Sequence, residues 1–196
     1  MGGESRGSIA CFATYRPPVE LDIFSCPVPP SSTRDELLLT DGKGYNHNCR
    51  PIPPAALKAL LKRPKLAAEG GATDADVDAG RVSGFVFVSE RDDNLETLRI
   101  ALRFNADKRV KVFSLADIFG ATEFSGTRLE DSGCFGGGYK EGSRTVDHSL
   151  VYVSTKEKVQ ERRTPWTVVY KTNLRTGETV RLTPECNFFL RSLVVN

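Results

Sequence analysis

Two stretches of this sequence, Phe85-Val86-Phe87-Val88 and Leu150-Val151-Tyr152-Val153, are unbroken runs of aromatic, β-branched and aliphatic side chains. Residues of these types suit the pleated surface of a strand. A strand with one wet face alternates apolar and polar residues, whereas a continuous run buries both faces. The runs therefore predict strands held between other layers, and so a fold built of stacked sheets.

Both runs belong to a threefold repeat, and a repeat decides architecture before local propensity does. Residues 8–16 (SIACFATYR), 83–91 (SGFVFVSER) and 148–156 (HSLVYVSTK) align with Thr14, Ser89 and Ser154 in one column. Phe12, Phe87 and Tyr152 then share an aromatic column, Ala13, Val88 and Val153 an apolar one, and Arg16, Arg91 and Lys156 a basic one. Each copy continues with a second extended segment, at 21–24, 95–102 or 166–170. A third segment ends on an apolar residue and a hydroxyl: Leu39-Thr40, Phe113-Ser114 or Leu182-Thr183. The first hydroxyl and the last lie 25 to 29 residues apart in every copy, which suits three short antiparallel strands joined by turns. Asp, Asn and Gly mark those turns at 91–94 and 175–178.

The repeat predicts an all-β fold, a partial β-propeller of about three blades with three to four antiparallel strands each. Each blade of a propeller packs on a neighbour at either side, as the continuous runs require. The expected organisation is a disordered start over 1–7, blade 1 over about 8–53 and an insertion over 54–82. Blade 2 follows over about 83–135, a loop over 136–147, blade 3 over about 148–184 and a divergent tail over 185–196. Fourth strands have room at 45–52 and 127–135, where each would complete the blade before it. The insertion is expected to hold one short helix at 54–63, with Pro54 at its first position and Ala, Leu and Lys behind it. A flexible acidic linker is expected over 67–80, and a glycine loop around Gly136, Gly137 and Gly138.

Composition excludes several classes of partner. With 27 Lys and Arg against 25 Asp and Glu the net charge is +2, too small a field to steer the chain to nucleic acid. The clusters Lys58, Lys62, Arg63, Lys65 and Arg162, Arg163 read as solvated surface. No apolar run approaches the roughly 20 residues of a membrane span. Cys11, Cys26, Cys49, Cys134 and Cys186 form no CxxC pair and fit no zinc module; their odd number leaves a thiol free and a disulfide among the rest open. Asp74, Asp76, Asp78 and Gly80 imitate the start of a calcium loop. Ala79 and Phe85 stand where such a loop needs Gly and Glu, so no metal or other cofactor is expected.

The strand, the Ser-x-Arg-Asp turn within SERDDNLETL and the closing GETVRLT at 177–183 resemble the TolB-type propeller repeat. The longer inserted copies are similar to plant proteins described as resembling the N-terminal propeller of dipeptidyl peptidases. The resemblance covers about residues 8–184. It implies a non-catalytic scaffold for protein or carbohydrate binding, in an extracellular or cell-wall setting; the chain taken as complete has no leader and reads as cytoplasmic. Propellers of this type close with about six blades or more, so open blade edges are expected to self-associate. Two alternatives stand beside the scaffold: a propeller-shaped polysaccharide-lyase-like enzyme, and an accessory fragment of a dipeptidyl-peptidase-like hydrolase without its catalytic domain. A lyase site needs several converging imidazole or amide ligands, and His47 and His148 are the only imidazoles. No catalytic or metal residue is assigned. His47, crowded by Asn46, Asn48 and Cys49, is a candidate binding residue. The column of Arg16, Arg91 and Lys156 reads either as a turn device paired with carboxylates or as a face for an anionic ligand.

Overall fold

The computed structural model describes residues 8–13, 21–29, 32, 36–91, 96–120, 124, 130–139, 146–157 and 167–183, with 8–13, 131–132, 138–139 and 146 as backbone only. The described strands are β1 (Ser8–Ala13), β2 (Asp22–Pro27), β3 (Leu37–Leu38), β4 (Tyr45–Pro51), β5 (Val82–Glu90), β6 (Thr97–Phe104), β7 (Val110–Ser114), β8 (Glu130–Tyr139), β9 (Val146–Ser154), β10 (Val168–Asn173) and β11 (Thr179–Arg181). Four short helices accompany them: α1 (Pro54–Leu61), α2 (Pro64–Glu69), α3 (Asp74–Asp78) and α4 (Leu115–Phe119). The protein is thus mostly β, in three antiparallel meanders that follow one another along the chain: β1-β2-β3, β4-β5-β6-β7 and β8-β9-β10-β11. The sheets do not close on one another.

The second sheet is the filling of the stack. On one side Val86 and Val88 of β5 join Leu98, Ile100 and Leu102 of β6 in a core shared with Leu150, Tyr152, Val168 and Tyr170 of the third sheet. On the other, Phe87 and Ala101 pack with Ile23 and Leu39 of the first sheet. Val86, Phe87 and Val88 are all 0% exposed, so the run expected at 85–88 is covered on both faces from 86 to 88, while Phe85 is half-buried. The run at 150–153 is not: Leu150 and Tyr152 are buried, while Val151 and Val153 are half-buried.

The strands expected at 45–52 and 127–135 exist, but each opens the following sheet instead of completing the preceding one. Asn46 of β4 lies opposite Ser89, and Glu130 of β8 opposite Ser154. A buried polar hook explains the choice. Asn46 donates from its backbone N and from Nδ2 to Leu21 O, at 2.9 Å each. Glu130 N donates to Glu96 O at 2.9 Å, and its Oε2 accepts from Leu98 N at 3.2 Å. Each strand therefore pairs along its own sheet while anchoring to the sheet before it. Buried polar groups are in the great majority hydrogen-bonded, which favours this arrangement. The first copy of the repeat is also out of step. Phe12 pairs with Ile23, which packs towards the second sheet, whereas Phe87 and Tyr152 pack towards the sheet before theirs. A shift of one residue exchanges the two faces of a strand, so position 12 is not equivalent in pairing to positions 87 and 152.

The insertion over 54–82 is an excursion between neighbouring strands of one sheet, and it holds three helices where one was expected. α1 starts at Pro54 and buries Ala56, Leu57, Leu60 and Leu61. α3 replaces the expected acidic linker. Thr73 Oγ1 accepts from Asp76 N while the Asp76 carboxylate accepts from Thr73 N, a reciprocal cap that holds even a five-residue helix. Ser114 and Asp117 cap α4 in the same way. Gly136, Gly137 and Gly138 belong to β8, opposite Ser149, His148 and Asp147, and not to a loop. A strand ladder is made of backbone groups, so side-chain-free residues extend it as long as their partners continue.

Two glycines let the layers close. A Cβ on Gly84 would stand 2.7 Å from Leu57 Cδ1, and one on Gly133 would stand 3.0 Å from Val86 Cγ2. α1 and β8 thus rest on the second sheet where no side chain intervenes.

Candidate functional site

Arg91 follows β5 and turns back over its end. Its Nε donates to Ser89 Oγ at 2.9 Å, Nη1 to Asp41 Oδ2 at 2.9 Å, and Nη2 to Lys43 O and Asn46 Oδ1 at 2.8 Å each. Ser89 Oγ in turn donates to Asn46 Oδ1 at 2.7 Å. The guanidinium side chain is 8% exposed and lies 5.8 Å from the centre of the Phe87 ring. A fork of fixed donors suits this convergence of a carboxylate, an amide and a carbonyl. Of the two readings of the basic column, the pairing with a carboxylate is the one Arg91 makes. It ties the β3–β4 connection to the second sheet.

Lys156 reaches a comparable end by other means. Its Nζ stands 4.0 Å above the centre of the Tyr170 ring. Tyr170 Oη donates to Glu157 Oε1 at 2.5 Å, and Glu157 Oε2 lies 3.1 Å from Arg181 Nη1. Burial, and then the bond to Glu157, push the Tyr170 phenol above its ordinary range. Arg16 lies outside the described residues.

His47 on β4 pairs with Glu96, Nε2 to Oε1 at 3.1 Å, and its ring meets Tyr45 edge-on at 5.7 Å. Arg91 reaches Asn46, the residue before it, but among the described residues His47 and Arg91 have no partner in common. Cys49 is half-buried, and burial pushes its thiol up to about 12, far from the range of a thiolate nucleophile at neutral pH. Cys26, Cys49 and Cys134 are free thiols; Cys11 and Cys186 lie outside the described side chains. Among the described residues no three His, Cys, Asp or Glu side chains converge as they would around a metal. The single G-x-S-x-G match in the chain, Gly3-Glu4-Ser5-Arg6-Gly7, also lies outside the described residues. It precedes the strand β1, where a nucleophile elbow leads into a helix.

The charged face of the insertion is paired with itself. Lys58 bonds Asp78, Lys62 lies 3.4 Å from Asp74, and Lys65 lies 2.6 Å from Glu69. The carboxylates that imitate a calcium loop are therefore spaced along α3 and face lysines or Arg81. Hydrogen bonds from Thr73 and then Arg81 hold the Asp76 carboxyl down at about 2. Arg63 donates to Ile118 O and Arg175 O and sits 5.2 Å from the Phe119 ring centre, so it staples the insertion to the third sheet.

A surface that the columns of the repeat do not reveal lies on the third sheet. Val168, Tyr170 and Leu150 face the second sheet, so Val169 and Val151 face away from it. Val180, opposite Lys171, is 44% exposed and Leu182 is 49% exposed on that outward side. Val151, Val153 and Val169 beside them are half-buried. Alignment shows which residues recur; it does not show which face a following layer covers. Leu182 in the closing Leu-Thr was the available signal, since an apolar residue repeated at that place has a packing role in the other copies. Among the described residues no helix is long and apolar enough to cross a membrane. Set against family models, curated proteins and solved structures, the chain matches none of them.

Proposed function

We propose that this chain is a non-catalytic scaffold of serially packed sheets, of the TolB-like propeller type, that binds a protein partner through the outward face of its third sheet. The observation that carries the reading is the apolar row there, with Val180 44% and Leu182 49% exposed beside three half-buried valines. Contiguous apolar surface of this kind marks interaction sites in soluble proteins. The serial packing of three meanders and the repeated polar hooks support the propeller-type reading. The use of Arg91 in an internal network supports assigning the basic column to the scaffold.

The test is a titration with an apolar naphthalenesulfonate dye, on wild type and on Leu182→Glu, with folding checked by far-ultraviolet circular dichroism. The folded wild type is expected to bind the dye and the folded variant to lose most of the response. An equal response in both removes the outward face as the binding surface. A panel of oligosaccharides that binds the wild type, unaffected by Leu182→Glu, moves the reading from protein to carbohydrate.

A further inference from the structure

The outward face of the third sheet has covered counterparts in the same chain, matched by hydrogen bonds and not by alignment alone. In the first sheet Leu39 N donates to Ile23 O at 2.8 Å, and Ile23 N donates to Thr40 Oγ1 at 3.1 Å. In the third, Leu182 N donates to Val169 O at 2.8 Å, and Val169 N donates to Thr183 Oγ1 at 3.3 Å. Ile23 with Leu39 and Val169 with Leu182 are the same pair in two copies. Ile100 and Phe113, directly opposed in the second sheet, are the third instance.

Their environments differ. Ile23 and Leu39 are each 2% exposed, closed over by the second sheet; Ile100 is 0% and Phe113 6% exposed, within the core that the second sheet shares with the third sheet and the helices. Leu182 is 49% exposed. The apolar pair buried twice inside the chain is thus presented a third time with no cover among the described residues.

The cover has a recognisable character. Towards the sheet before it, the second sheet presents Phe87 and Ala101, and the third presents Tyr152 and Tyr170. Since Ile23 matches Val169, Phe24 of β2, which is half-buried, occupies the place of Tyr170. Leu38, its cross-strand partner, is 37% exposed. The first sheet therefore carries, on the side away from the second, an aromatic and aliphatic face of the type that closes over such a pair.

We propose that a second copy of this chain docks head to tail, the Phe24 and Leu38 face of its first sheet packing on the Val169 and Leu182 face of the third. The proposal rests on the reading of that third-sheet face as a protein-binding surface and names its partner. Head-to-tail contacts end in a ring where the rotation between copies closes and otherwise run on as filaments. The proposed dimer is the smallest closed case, with two contacts of the same kind between three sheets from each copy.

Sedimentation velocity over a range of concentrations tests this, with Leu38→Glu and Leu182→Glu, both at exposed positions. The wild type is expected to dimerise. Each variant alone loses one face of every contact and should dissociate at a concentration at least about tenfold higher, as for a charge placed in an apolar contact. An equal mixture of the two should regain a dimer, because the intact first sheet of one meets the intact third sheet of the other. A wild type that stays monomeric, a Leu38→Glu variant that pairs like wild type, or a mixture that stays apart overturns the proposal. If the wild type is monomeric and Leu182→Glu still abolishes dye binding, the second copy falls as partner and the apolar binding face stands. If dye binding ignores Leu182→Glu, both fall.

Discussion

β5 and β9 carry nearly the same sequence, FVFVS against LVYVS, and occupy different surroundings. In β5 consecutive residues Val86, Phe87, Val88 and Ser89 are all 0% exposed, because the first sheet lies on one face and the third sheet on the other. In β9 the residues facing the second sheet, Leu150, Tyr152 and Ser154, are buried, and those between them are half-buried. A continuous apolar run is thus a statement about what a strand can tolerate on each side. What stands on each side is a property of the stack.

The contrast is sharpest in paired substitutions. Phe87→Ala empties a site closed on both sides and should cost about 3–5 kcal/mol in urea denaturation, whereas Val153→Ala, on the half-covered face, should cost under about 1.5 kcal/mol. Equal costs would mean that the outward face of β9 is as tightly covered as the interior.

A second pair compares the ends of the same strands. Arg91→Ala leaves Asp41 without its 2.9 Å partner and removes one of the two donors to Asn46 Oδ1, at a cost of about 3 kcal/mol for breaking a mostly buried pair. Lys156→Ala removes a cation from above Tyr170 and should cost about 1 kcal/mol or less. The midpoint of chemical unfolding reads both, and the reverse order would assign the structural role to the wrong sheet.

Within β8 the comparison narrows to one methyl group. Gly133→Ala drives a Cβ to 3.0 Å from Val86 Cγ2 and 3.1 Å from Leu98 Cδ2, both on buried residues that must give way to admit it. A loss of about 1–3 kcal/mol is expected from such overpacking. Gly136→Ala meets nothing within 4 Å and should change stability by about 0.5 kcal/mol at most.

The smallest effect is in acid. The Asp76 carboxyl lies at about 2 in the folded chain, below its ordinary 3.8. A depressed carboxyl contributes stability that is fully present above the ordinary value and is lost as pH falls through the folded one. The cap of α3 should therefore weaken between about pH 4 and 2. Carboxyl carbon chemical shifts would show Asp76 titrating near 2, and Asp76→Asn should remove the acid-sensitive step from α3.

Much of the stack was legible because its signals are local. The strands at 82–90 and 97–104 lie where β-branched and aromatic residues place them, and Pro54 marks the start of α1. The closing hydroxyls repeat because Thr40 and Thr183 accept from the backbone of the strand beside them. Thr73 and Asp76, three residues apart, were an overlooked capping signal within a stretch whose acidity suggested a linker. The assignment of β4 and β8 to the following sheet was not legible, because it rests on Asn46 and Glu130 bonding backbone far away along the chain. Of the candidate residues, the column position of Arg91 was readable, while its partners Asp41 and Asn46 lie on a different turn and strand. The outward face escaped altogether, since Ile23 and Val169 look alike in sequence and differ only in what covers them.

The sequence by itself determined the elements: where strands run, which residues cap helices, and that one unit recurs. Propensity, capping and turn chemistry act over a few residues and are written in them. The tertiary structure alone decided which sheet each strand joins and which apolar face is sealed. Backbone ladders accept almost any neighbour, so the choice among them falls to buried polar hooks and to packing between layers distant in the chain.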